Sequence, residues 1–89
     1  AISGSPSPAS ATAQLAEHAL GQLPASRFAV RHIRLRDINA EALLGTRPDD
    51  AGLAEALAAI EAADGIIIAT PIYKAAYSGL LKAFLDALP

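Results

Sequence analysis

Cysteine, methionine and tryptophan are all absent from the 89 residues. Without cysteine there is neither a disulfide framework nor a thiolate metal site to support so short a chain. Aromatic residues make up only 4%, against 53% hydrophobic residues overall, so the core has to be built from Ala, Leu and Ile. That composition excludes a disordered chain and suits short helices packed closely on a sheet. Excess positive charge is also missing. Seven basic against nine acidic side chains give a net charge of −2, which argues against nucleic acid as a partner. Arg31, Arg34 and Arg36 alternate with Ile33 and Leu35 and read as the wet face of a strand. No apolar run reaches the length of a membrane span and no signal peptide is visible, so a soluble, cytoplasmic protein without membrane contact is expected. The missing initiator Met and a first strand reduced to a stub suggest further residues upstream.

What is present is a periodic alternation of elements. Residues 1–3 read as the tail of a strand. Residues 12–23 carry Leu15, Ala16, Ala19, Leu20 and Leu23 on one helical face, and Pro24 breaks the pattern. A second strand spans 28–35, with Ile33 and Leu35 inward and the charge-bearing positions suited to a sheet edge. A short helical turn at 37–44 and a polar loop at 45–52 follow. A second clear helix then covers 53–62. The run Ile66-Ile67-Ile68-Ala69 is wholly apolar, as expected of an interior parallel strand covered on both faces. Ser78 is placed to cap a last helix over 79–88, which Pro89 stops.

The order β-α-β-α-β-α predicts an α/β fold with a parallel sheet and right-handed crossovers. With the first strand between the other two, the strand order is 2-1-3, and the first and third strands end side by side at the switch point where ligands bind. Three strands would leave the apolar run 66–69 at an edge. The 89 residues are therefore expected to be the N-terminal portion of a single five-stranded domain, or to be covered by another subunit.

Two chemically unusual loops fall at that switch point. The first holds the hydroxyls of Ser3, Ser5, Ser7, Ser10 and Thr12, and no Lys or Arg occurs before Arg27. Running into a helix start, it offers neutral donors and the positive end of a helix dipole to an anion such as phosphate. Equally, it can be an ordinary Ser/Pro turn with Ser10 as the helix cap. It is neither a GxxxxGK[ST] loop nor a GxGxxG turn. The second loop carries Tyr73 and Tyr77, the chain's only tyrosines, with Lys74 between them, and suits a flat heterocycle with polar edges. The bland alternative packs those tyrosines on neighbouring helices or a subunit interface. His18 and His32 read as plain surface residues, no metal-ligand spacing is present, and Ser10 lacks a His/Asp partner. A bound cofactor would have to carry any demanding chemistry.

The stretch Gly4-Ser5-Pro6-Ser7-Pro8-Ala9-Ser10-Ala11-Thr12 resembles the GSxRxxSxN/T loop of the NADPH-dependent FMN reductase family. Thr70 to Lys82 resembles that family's TPxYxxSxxGxLK segment. The Tyr73-Lys74-Ala75 variant is most similar to the FMN reductases of alkanesulfonate monooxygenase systems. The resemblance implies a flavodoxin-like three-layer αβα fold. It also implies hydride transfer from NADPH or NADH to FMN, with reduced flavin supplied to a monooxygenase and a homo-oligomeric assembly (dimer or tetramer). Carried over by position, Ser5, Ser7, Ser10 and Thr12, with Ser3 and Ala11 beside them, would hold the FMN phosphate. Pro71, Ile72, Tyr73 and Lys74 would line the isoalloxazine ring, with Lys74 near the developing charge. Ser7 stands where many relatives have Arg, and Ala76 replaces a Ser of the wider motif. A flavodoxin-like electron carrier, which usually has a TxTGxT loop and a strongly acidic surface, is an alternative. Others are a quinone, azo or metal-oxyanion reductase on the same scaffold and a structural fragment without activity.

Overall fold

A computed structural model of the chain describes residues 1–8, 10–45, 49–73, 76, 77 and 79–88. Three short parallel strands form the central sheet: β1 (Ile2–Ser3), β2 (Ile33–Arg34) and β3 (Ile68–Ala69). Their spatial order is β2-β1-β3, the 2-1-3 arrangement expected from the sequence. Ile2 lies opposite Ile33 on one side and Ile68 on the other, and Ser3 lies opposite Arg34 and Ala69. The ladder is extended by Ile2 N–H to the Ile67 carbonyl (2.7 Å), Gly4 N–H to the Ala69 carbonyl (2.9 Å) and Ile33 N–H to the Ala1 carbonyl (2.7 Å).

Residues on successive positions of a strand point to opposite faces, and here the two faces have different partners. Ile2, Ile33 and Leu35 enter the main core with Leu53 and Ala56 of α3 (Ala51–Ala62) and Leu81 and Phe84 of α4 (Gly79–Asp86). Ala42 and Leu43 of the short α2 (Ala40–Leu43) close it. Ile2, Leu35 and Phe84 are its most deeply buried large side chains. Helix α1 (Ala11–Gly21) lies against β1 and β3, and its buried Ala16 and Leu20 stand outside that core cluster. Arg31, two residues before Ile33, pairs with Glu55 of α3 (2.9 Å), whereas Arg34 reaches Glu17 of α1 (3.5 Å). The parity of β2 thus assigns α3 to one side of the sheet and α1 to the other.

Helices α1, α2 and α3 each start on a side-chain cap. Ser10 Oγ accepts from Ala13 N–H (3.0 Å) at α1, and Asp50 Oδ2 accepts from Leu53 N–H (2.9 Å) at α3. Asn39 Oδ1 accepts from Glu41 N–H (2.9 Å) and Ala42 N–H (3.3 Å) at α2. Gly45, at φ +85°, ends α2 in the left-handed conformation that only glycine adopts freely.

Several expectations need correction. The second strand was expected over 28–35, but only Ile33–Arg34 pair as β2, and Leu35–Asp37 turn into a 3₁₀ helix. Ile33 and Arg34 take the places opposite Ile2 and Ser3, and Leu35 then leaves the ladder for the 3₁₀ turn. β3 is confined to Ile68–Ala69, opposite Ile2 and Ser3, and lies at an edge rather than in an interior position, with Ile66 and Ile68 about half exposed. Leu15, expected on the apolar face of α1, is 64% exposed. Helix α3 starts two residues earlier than residue 53, because Asp50 rather than a later residue supplies the cap. The expected loop after Pro71 contains a small antiparallel hairpin, β4 (Ile72–Tyr73) and β5 (Ala76–Tyr77), pairing Ile72 with Tyr77 and Tyr73 with Ala76. The expected cap at Ser78 and the stop at Pro89 lie outside the described residues.

Candidate functional site

β1 ends at Ser3 and α1 starts at Ala11, so the intervening loop lies at the carboxyl edge of the sheet. Its hydroxyls are not equivalent. Ser5 is 9% exposed and its Oγ accepts the Ser7 N–H (3.2 Å), folding the loop into a local turn. Ser10 is 8% exposed and accepts the Ala13 N–H as the α1 cap. A serine oxygen that accepts through a lone pair still has its own O–H to donate. Ser5 and Ser10 can therefore each hold their backbone turn and donate to an anion at the same time. Ser7 is exposed, as are Pro6, Pro8 and Ala11, while Thr12 is half-buried in the first turn of α1. The first-turn amides of Ala11 and Thr12 cannot be satisfied within the helix and carry its positive end. The donor set is neutral throughout, fitting a phosphate group bound by hydrogen bonds and a helix dipole rather than by a cation.

The second loop starts beside the first. Gly4 N–H donates to Ala69 O at 2.9 Å, tying the end of β1 to the end of β3. From there Thr70 Oγ1 donates to the Pro71 carbonyl (2.9 Å), Pro71 is half-buried, and Ile72 is largely exposed at the start of the hairpin. Pro71, Ile72 and the backbone of Tyr73 thus stand at the switch point with Ser5 and Ser10. Lys74 lies outside the described residues. An apolar hollow of about 310 Å³ lies between Pro6 of the first loop, Ala40, Leu43 and Leu44 around α2, and Gly79, Leu80 and Ala83 of α4. Among the described residues no cluster of His, Cys, Asp or Glu is arranged to hold a metal ion, and no helix is long and apolar enough to cross a membrane.

One expectation about a polar residue is overturned here. His32 was expected to be a plain surface residue, yet its side chain is only 7% exposed. Its Nδ1 lies 2.5 Å from Glu17 Oε1 and its Nε2 lies 2.7 Å from Ser3 Oγ. Ser3, expected among the phosphate donors, is 3% exposed and directs its hydroxyl at that imidazole. The hydrogen bond from His32, the largest influence, together with Arg34 holds the Glu17 carboxyl below its ordinary 4.5 against the opposing effect of burial. His18 is exposed on α1, as expected. The signal for His32 was present in the strand parity. His32 and Arg34 share the face opposite Ile33, and a right-handed β1-α1-β2 crossover covers that face with α1.

A 2-1-3 parallel sheet with helices on both faces, and its loops meeting at the carboxyl ends of the first and third strands, defines a flavodoxin-like α/β protein. The family model described as NADPH-dependent FMN reductase matches residues 1–89, and the chain belongs to that family. An FMN reductase (NADPH) of Escherichia coli is 42% identical over 88 residues, covering 99% of this chain and 46% of that protein. An FMN reductase (NADPH) of Pseudomonas putida is 40% identical over 88 residues, covering 99% and 45%. The crystal structure of an NADH:FMN oxidoreductase in its apo form superposes with a TM-score of 0.93 at 56% identity, covering 99% of this chain and 48% of that one. The chain thus spans about half the length of the relatives it matches.

Proposed function

We propose that these residues form the flavin-phosphate half of an NAD(P)H-dependent FMN reductase. The observation that carries this reading is the convergence, across the Gly4–Ala69 hydrogen bond, of a neutral anion cradle and a second loop at one switch point. Membership of the FMN reductase family supports FMN as the molecule that spans them.

Bound FMN would supply the hydride acceptor, and NADPH or NADH the hydride. The protein's part is to bind and orient. The hydroxyls of Ser5, Ser7 and Ser10, the amide of Ala11, and the amide and hydroxyl of Thr12 hold the phosphate. Pro71, Ile72, Tyr73 and Lys74 line the ring, largely through backbone groups, and Lys74 offsets negative charge. Ser7 in place of a cation leaves the phosphate held by neutral donors alone, which suits a protein that releases its flavin once reduced. On the same reading the reduced flavin serves a monooxygenase and the protein works as a homo-oligomer. The exposed apolar edge of β3 and the length of the relatives support a larger five-stranded domain of which this is the N-terminal portion.

The test is anaerobic mixing of the intact protein and FMN with NADPH and, separately, NADH. Loss of the flavin's visible absorbance with either nucleotide is expected. A flavin spectrum left unchanged by both would overturn the proposal.

A further inference from the structure

The imidazole of His32 ties the strand that opens the anion loop to the middle of the helix that follows it. Its Nε2 is 2.7 Å from the hydroxyl of Ser3, the residue that opens the loop, and its Nδ1 is 2.5 Å from Glu17, on the helix that closes it. We infer that His32 is a positioning residue for the phosphate site, a two-ended clamp that sets α1 as a body against the end of β1. The inference rests on the reading of the loop as a phosphate cradle.

Three features carry it. The ring is almost fully buried, at 7% exposure, and Ser3 is buried at 3%, so neither group has water as an easy substitute partner. Glu17 is a carboxylate held below its ordinary value, so it accepts and fixes the proton on Nδ1. Nε2 is then the acceptor for the Ser3 O–H in the neutral ring, and the chain of donors runs from Ser3 to His32 to Glu17. Arg34 of β2 also reaches this cluster, its Nη2 lying 3.5 Å from the same Glu17 oxygen. It holds Glu17 from the solvent side and leaves Nδ1 as the inner partner.

The loop between these anchors has only the Ser5 turn and the Ser10 cap to shape it. A phosphate cradle made of neutral donors depends on their mutual placement, because no single cation can compensate for a displaced one. Without the clamp, α1 remains helical and packed through Ala16 and Leu20, but its placement on the sheet, and with it the first turn, is no longer fixed relative to Gly4 and Ser5. His32 touches neither phosphate nor flavin on this account.

Fluorescence titration of the intact protein with FMN and with riboflavin, which lacks the phosphate, tests this. Wild type is expected to prefer FMN. His32→Gln and Ser3→Ala are each expected to lower the FMN-to-riboflavin preference about tenfold, with riboflavin binding changed by less than about threefold. Ser3→Thr, which keeps a hydroxyl, is expected to restore it. A merely structural role would weaken both ligands alike, and variants that fold and keep the wild-type preference overturn the clamp. Equal binding of both ligands by wild type instead overturns the phosphate reading, and the clamp with it. Should the variants fail to fold, the ring ¹⁵N spectrum of wild type decides. A proton held on Nδ1 supports the clamp, and a ring protonated at Nε2 alone, or averaging between tautomers, overturns it.

Discussion

A hydroxyl exposed at the tip of the anion loop, as Ser7 is, gives a phosphate one neutral donor where an arginine would give a forked, charged one. Ser7→Arg therefore adds attraction without disturbing the Ser5 turn, which uses only the Ser7 amide. We expect FMN to bind about five- to tenfold more tightly at low salt and riboflavin to be unaffected, with the gain shrinking as salt screens the exposed charge. Equilibrium titrations of both flavins at two ionic strengths measure it, and an equal gain for riboflavin would show that residue 7 does not face the phosphate. Glu17 gives a second prediction at this scale. Its carboxyl titrates below 4.5 in the folded state, so its stabilising contribution is present above that pH and is lost as pH falls through the lower folded value. The stability difference between wild type and Glu17→Gln should be largest near neutrality and shrink on acidification toward pH ~3. Urea unfolding across that range reads it, and a difference constant with pH contradicts the assignment. At the residue level the sequence revealed which hydroxyls were available but not which were already committed. Ser3 and Ser10 look alike in a string of letters. Only the register of β1 with β2, which puts His32 beside Ser3, separates them.

Elements were more legible where side-chain periodicity and caps agree. Helices α1, α3 and α4 lie where apolar spacing placed them, with boundaries moved by one or two residues because capping, not hydrophobicity, decides where a helix starts. The clearest case is α3, where Asp50 accepts the Leu53 amide and draws Ala51 and Gly52 into the helix. Asp50→Ala should cost about 1 kcal/mol of stability, while Asp50→Ser or Asn should recover most of it. Denaturant midpoints of the three variants at constant m-value check this, and no loss in the alanine variant would show that the cap is carried by other groups. Strand lengths were less legible. Apolar alternation over 28–35 and the apolar run 66–69 are both longer than the segments that pair with β1, and pairing is a property of the partner as much as of the strand. The hairpin β4–β5 was missed because Tyr73-Lys74-Ala75-Ala76 carries no Asn-Gly or Asp-Gly turn signal.

For the whole molecule, the alternation of elements made a parallel sheet legible, and with the first strand central the order is the 2-1-3 that is found. The unpaired flank of β3 is what the chain by itself does not explain. Ile66 and Ile68 are 48% and 51% exposed on a strand with no charge or proline to protect its edge. Relatives about twice as long as the chain have sequence enough to cover such an edge. If the intact protein pairs another strand and helix there, a charge at position 68 becomes buried without a partner. Ile68→Lys should then destabilise the intact protein by on the order of 3 kcal/mol, whereas Leu15→Lys, at a more exposed apolar position on α1, should stay within about 0.5 kcal/mol. Urea unfolding of the two variants side by side distinguishes a covered edge from an open one. A small effect at both positions would mean that β3 remains a sheet edge, and that the five-stranded domain proposed around it is wrong.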